Sequence, residues 1–158
     1  MKKNVFFLLF FLAFSLVAPV QATTFITDIF VDTPTISKGY TVVSEDQNFR
    51  LGIYPEVLAV ETRVVVKQFE QTDYTYPEGW RAISDVYEFD IFNKAAFQDE
   101  KPLKIRINTF EETRHLKKIH FYNGVIDEWV ELPSETVDLQ TIKSILHLPY
   151  AKMVVLEH

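Results

Sequence analysis

The chain has 158 residues, with 16 Lys and Arg against 22 Asp and Glu; a net charge of −6 disfavours nucleic acid and anionic lipid as partners. It has no cysteine, which excludes disulfide staples, thiolate metal sites, thiol catalysis and a lipidated cysteine behind a leader.

Lys2 and Lys3 open the chain, and Val5 to Val17 is apolar apart from Ser15. Pro19 ends that run, and Val20-Gln21-Ala22 places small residues three and one before a cleavage point. This is the pattern of a secretory signal peptide over residues 1–22, cut after Ala22. An uncleaved anchor is the competing reading, but about 13–16 apolar residues fall short of the roughly 20 that span a bilayer. The expected location is therefore extracytoplasmic: periplasmic, cell-surface or secreted. The mature chain would hold 158 − 22 = 136 residues, one ordinary domain, and carry 14 − 22 = −8 charges.

Residues 23–38 contain Phe25, Ile26, Ile29, Phe30 and Val31 and read as a leader or an edge strand. The main domain is placed at 39–158. Tyr40–Val43 begins the regular pattern, and Ser44-Glu-Asp-Gln-Asn48 supplies turn residues. Phe49, Leu51 and Ile53 share one face at period two. Residues 55–59 read as a loop or a single helical turn. Thr62–Phe69 carries three consecutive valines, a strong strand signal. A polar loop, 70–80, carries Pro77-Glu78-Gly79. In 86–92, Tyr87, Phe89 and Ile91 point one way and Glu88 and Asp90 the other. Leu103–Asn108 alternates again, and 109–116 reads as a short helix or a crossing between sheets. Lys117–Tyr122 and, after a short loop, Glu128–Pro133 flank Asn123-Gly124, the strongest short-range hairpin signal. Apolar runs at 141–148 and 151–156 follow. Seven to nine short strands without a long amphipathic helix predict an all-β, antiparallel β-sandwich.

The chemistry-bearing residues form no local signature. His115, His120, His147 and His158 make no HxH or HExxH pair and read as solvent-facing. No serine sits in a nucleophile elbow, and four glycines build no phosphate loop. Glu88 and Asp90 share a strand face with Cα atoms about 6.5–7 Å apart, and read as a solvated pair. No catalytic residue, metal ligand or cofactor is assigned. The aromatics are the binding candidates: Tyr74, Tyr76 and Trp80 in the polar loop, and Tyr122 across the hairpin from Trp129. Such rings stack on the apolar faces of sugars or anchor protein interfaces. A structural aromatic pair covering the sheet is the plainer reading of Tyr122 and Trp129.

The pieces Asp85-Val-Tyr-Glu-Phe-Asp90, Pro102-Leu-Lys-Ile-Arg-Ile107, Glu128-Trp-Val-Glu-Leu-Pro133 and His147-Leu-Pro-Tyr-Ala-Lys-Met-Val-Val-Leu-Glu157 follow one another in an order that resembles ZU5-like β-sandwiches of bacterial secreted and cell-envelope proteins. Some of those domains cleave themselves at a His-Phe-Ser. The matching place here is His147-Leu148-Pro149, with no hydroxyl, so the resemblance implies the sandwich and not the cleavage. The same ending is similar to sandwich domains that precede a rare-lipoprotein-A-like double-psi barrel, a cell-wall module. The expectation is a non-catalytic structural or interaction module of the cell envelope, with an envelope protein as partner. The alternative is a glycan- or peptidoglycan-binding module, or an accessory domain of a cell-wall lytic protein.

Overall fold

Period-two alternation becomes twelve strands in a computed structural model that describes residues 25–158; the predicted leader, 1–22, lies outside the described residues. In chain order they are β1 (Phe25–Val31), β2 (Tyr40–Val43), β3 (Phe49–Ile53), β4 (Thr62–Phe69), β5 (Arg81–Ala82) and β6 (Val86–Ile91). Then come β7 (Leu103–Asn108), β8 (Lys117–Asn123), β9 (Glu128–Glu131), β10 (Ser134–Thr136), β11 (Thr141–Leu146) and β12 (Tyr150–Glu157). Among the described residues the one α-helix, α1 (Thr33–Lys38), links β1 to β2, and single 3-10 turns lie at Gln71–Asp73 and Lys94–Ala96. The larger sheet runs β1-β4-β6-β12-β8-β9, with β5 also on β12; the smaller runs β10-β11-β7-β3-β2. Every pairing is antiparallel. This is the expected sandwich. Its strand count exceeds the expected seven to nine because segments as short as β5 and β10 leave no readable period. Among the described residues no helix is long and apolar enough to cross a membrane.

The core lies where the inward faces meet. Phe49, Leu51, Tyr87, Phe89, Ile105 and Ile107 are fully buried there. Each buried side chain of this size stabilises the fold by about 1.5–3 kcal/mol. Tyr87 stacks on Phe49 with ring centroids 5.1 Å apart and donates its hydroxyl to Asp46 Oδ2 at 2.6 Å. Asp46 also accepts from the Asn48 amide at 3.1 Å, so the β2–β3 turn is tied to the core.

Residues 25–38 belong to the sandwich. β1 forms the edge of the larger sheet on β4, and Ile36 of α1 packs against the core. This is the edge-strand reading of that segment, and Gly39 marks the turn between α1 and β2. At φ 75° it takes a backbone shape that side chains disfavour, and a Cβ there would meet Ile53 O and Pro55 Cδ at 2.9 Å.

The segment 109–116 is the crossing from β7 in one sheet to β8 in the other, without helix. The return crossing explains Trp-Val-Glu-Leu-Pro. Leu132 donates its amide to Ile119 O at 2.8 Å and buries its side chain in the core. Pro133, lacking an N–H, ends the pairing. The Ser134 hydroxyl then receives the Ile119 amide at 3.1 Å, and β10 begins in the other sheet.

The hairpin differs in detail from its sequence signal. Asn123 pairs with Glu128 as the last pair of β8 and β9, and 124–127 form a four-residue loop. The left-handed position is Asp127, φ 59°, and not the Asn-Gly pair.

Candidate functional site

The outer face of the larger sheet is not uniformly polar. Phe69 on β4, Val86 on β6, and Val154 and Leu156 on β12 form a second apolar cluster there. The Met153–Leu156 run is continuous because β12 is buried on both faces. Covering those four side chains is what draws the 70–80 segment back over the sheet. Tyr74, Tyr76 and Trp80 from that segment, together with Trp129 from β9, pack on the cluster. The loop read as polar and wet is therefore an aromatic lid, whose hydrophobic rings outweigh the polar residues between them.

Trp129 is the hub of the lid. Its ring centroid lies 5.7 Å from Tyr74, 5.7 Å from Tyr76 and 5.4 Å from Tyr122, its cross-strand partner. Its indole N–H donates to Thr75 O at 3.1 Å, joining the lid to the β8–β9 hairpin. Tyr76 donates its hydroxyl to Gln71 O at 2.7 Å, and Tyr122 donates to Asp127. Burial raises the hydroxyl pKa of Tyr74 and of Tyr76, with smaller contributions from nearby acidic groups. Both stay neutral at any physiological pH.

Four of the five candidate aromatics thus converge, and Trp80 stands apart. It is sandwiched between His120 and His158, with centroids at 4.8 and 5.2 Å. His120 corrects an expectation: it is buried beneath Trp80 instead of facing solvent, and burial holds its pKa below the ordinary value. His115 and His147 are exposed, and His147 Nδ1 donates to Asp99 O at 2.6 Å. Among the described residues no three His, Asp or Glu side chains gather as a metal site.

Glu88 corrects another. It is buried, its carboxylate held by Lys67 at 3.0 Å, Lys152 at 3.2 Å and the Tyr150 hydroxyl at 3.2 Å. Burial pushes its pKa up, and the two ammonium groups more than reverse that, leaving it below the usual carboxylate range. Tyr150 is pushed up to about 12 by burial and by Glu88. Asp90 pairs separately with Lys94. Two carboxylates on one strand face therefore have separate ammonium partners.

Two small clefts open on either side of Trp129. One, of about 480 Å³, is lined by Thr75, Tyr76, Pro77, Asp127, Glu128 and Trp129. The other, of about 330 Å³, adds Asp73, Tyr74, Tyr122 and Lys152. Ring faces edged by carboxylates and an ammonium can hold a hydroxyl-rich ring by stacking and hydrogen bonds, or the polar side chains of a protein. Beyond Tyr122 and Trp129, the hairpin tip exposes Val125 at 94% and Ile126 at 53%.

Sequence reasoning found the rings and missed their setting. Lys152, Asp73, Thr75 and the tip pair Val125-Ile126 were not singled out. The tip carried a legible signal, two large apolar residues directly after Asn-Gly, where turns are polar. Lys152 carried none, since its place depends on the register of β12 against β6. Compared with protein-family models and with curated proteins, the chain matches none.

Proposed function

We propose that the mature chain is a non-catalytic, extracytoplasmic interaction module of the cell envelope, and that its docking end is the β8–β9 hairpin with the lid beside it. The observation that carries this reading is the exposure of Val125 and Ile126 at the tip of a hairpin whose base is fixed by Trp129. Aliphatic side chains held out on a rigid support are suited to anchor in a partner's pocket. The N-terminal leader pattern and the resemblance to ZU5-like sandwiches support an envelope location.

A second reading is glycan binding, with an accessory role beside a cell-wall lytic protein, and the clefts flanking Trp129 favour it. In that case Tyr76, Tyr122 and Trp129 present ring surface, and Asp127 and Glu128 accept sugar hydroxyls.

Cross-linking in intact cells, followed by recovery of a tagged chain, separates the two. The interaction reading predicts a discrete protein adduct that the double variant Val125→Asp, Ile126→Asp loses while its melting temperature holds. Recovery of the chain alone at native abundance overturns it. Co-sedimentation with purified sacculi, abolished by Tyr76→Ala, is the outcome that favours the glycan reading instead.

A further inference from the structure

The outer face of the smaller sheet carries a charge pattern that the docking end does not use. Inward residues of β3, β7 and β11 alternate with outward ones, so Arg50, Lys104, Arg106 and Lys143 all point away from the core. Register aligns them in rows. Lys143 stands opposite Arg106, and Arg106 opposite Arg50, across three neighbouring strands. In the next row Ile145 faces Lys104, Lys104 faces Gly52, and Gly52 faces Thr41. Like charges directly opposite one another destabilise a sheet. In a chain of net charge −6, ample acid exists to interleave. Among the described residues only Lys143 of these four cations has a carboxylate partner within ion-pair reach, Glu135 at 2.9 Å, while Asp138 at the rim interacts electrostatically with Arg106.

The same face is grooved. A cleft of about 510 Å³ lies among Tyr54, Lys104, Pro133, Ser134, Glu135 and Lys143. A second, of about 480 Å³, shares Tyr54 and Lys104 and continues over Gly52 toward Tyr40 and Thr41. Gly52 keeps that floor low, because a Cβ there would stand 3.3 Å from Lys104 Cβ. Tyr54 flanks the groove with half its surface exposed.

We propose that this face docks an acidic polysaccharide, whose carboxylates are held by Arg50, Lys104, Arg106 and Lys143 while a sugar ring stacks on Tyr54. The cations repeat at about 4.8 Å across strands and about 7 Å along them, which suits a chain carrying one charge per sugar. Guanidinium groups take carboxylates through paired hydrogen bonds. An acidic peptide would gain its main-chain hydrogen bonds at a sheet edge, and this is a face. A phosphatidylglycerol membrane presents no sugar ring to stack on Tyr54.

The test is binding of the full mature chain to polygalacturonate, with neutral dextran, polyglutamate and phosphatidylglycerol vesicles as the other arms. Polygalacturonate should bind tightest, and weaken as salt rises from about 50 to about 500 mM. Lys104→Glu with Arg106→Glu should lower affinity at least about tenfold. Arg50→Glu with Lys143→Glu should do the same, which keeps the result readable if one pair disturbs the fold. Val125→Asp with Ile126→Asp should leave this binding unchanged, so failure here and failure of the docking-end reading are told apart. Unaltered affinity in both charge-reversal pairs, or tighter binding to dextran, polyglutamate or the vesicles, overturns the proposal.

Discussion

His120 and Glu88 show how far a side chain's direction along a strand is from its fate. Both point away from the main core, as the alternation predicts, yet both are buried because the 70–80 segment and neighbouring long side chains cover that face. His120 has Trp80 over it, with Lys118 on its own strand and Glu131 opposite as the charged groups beside it. Its folded pKa lies below the ordinary 6.5, and burial is the first cause. The unfolded chain therefore takes up the proton first as pH falls. His120 contributes stability that is complete above about pH 6.5 and is lost as the pH drops through the lowered folded value. Melting temperature followed from pH 7.5 down to pH 5 should fall in the wild type and stay flatter in His120→Phe. Equal slopes in the two proteins would remove His120 from the account. Glu88, Asp138 and Glu157 have lowered carboxylate pKa values, so their losses come at more acid pH and do not imitate this one.

Among elements, the lid and the β8–β9 hairpin act as one unit. Trp129 touches three tyrosines and hydrogen-bonds the lid backbone, so its removal unfastens 70–80 from the sheet. Trp129→Ala should cost about 2–4 kcal/mol of stability by chemical denaturation and raise hydrogen exchange at Thr75 and its neighbours. Loss under about 0.5 kcal/mol would mean that the lid holds without its hub. This unit is also where legibility in the sequence divides. Strands β3, β4, β6, β7 and β12 were readable, because their apolar positions keep period two or run continuously. The cross-strand pair Tyr122–Trp129 was readable from the hairpin alone. The lid was not, since its shape follows from an apolar patch assembled from three strands that are distant in sequence. Tyr74 and Tyr76 therefore looked like wet loop residues, while their rings answer to Phe69 and Trp129.

At the scale of the molecule the two outer faces have separate characters. One face is closed by the lid and ends in the apolar hairpin tip; the other lies open and carries a row of cations. Net charge hides that division, because four outward cations vanish within an acidic total. Register brings them together, and register depends on turns and crossings that a linear reading places only loosely. The sandwich was legible as a class; which residues share a surface was not. The interaction reading rests on that surface geometry, and the most direct measurement is site-specific photo-crosslinking in intact cells. A photoreactive residue is placed at Val125, at Tyr54 or at Glu56, each exposed. The predicted result is a discrete protein adduct from position 125 that is missing from position 56. Identical patterns from 125 and 56, or no protein adduct from 125 at native abundance, would contradict it.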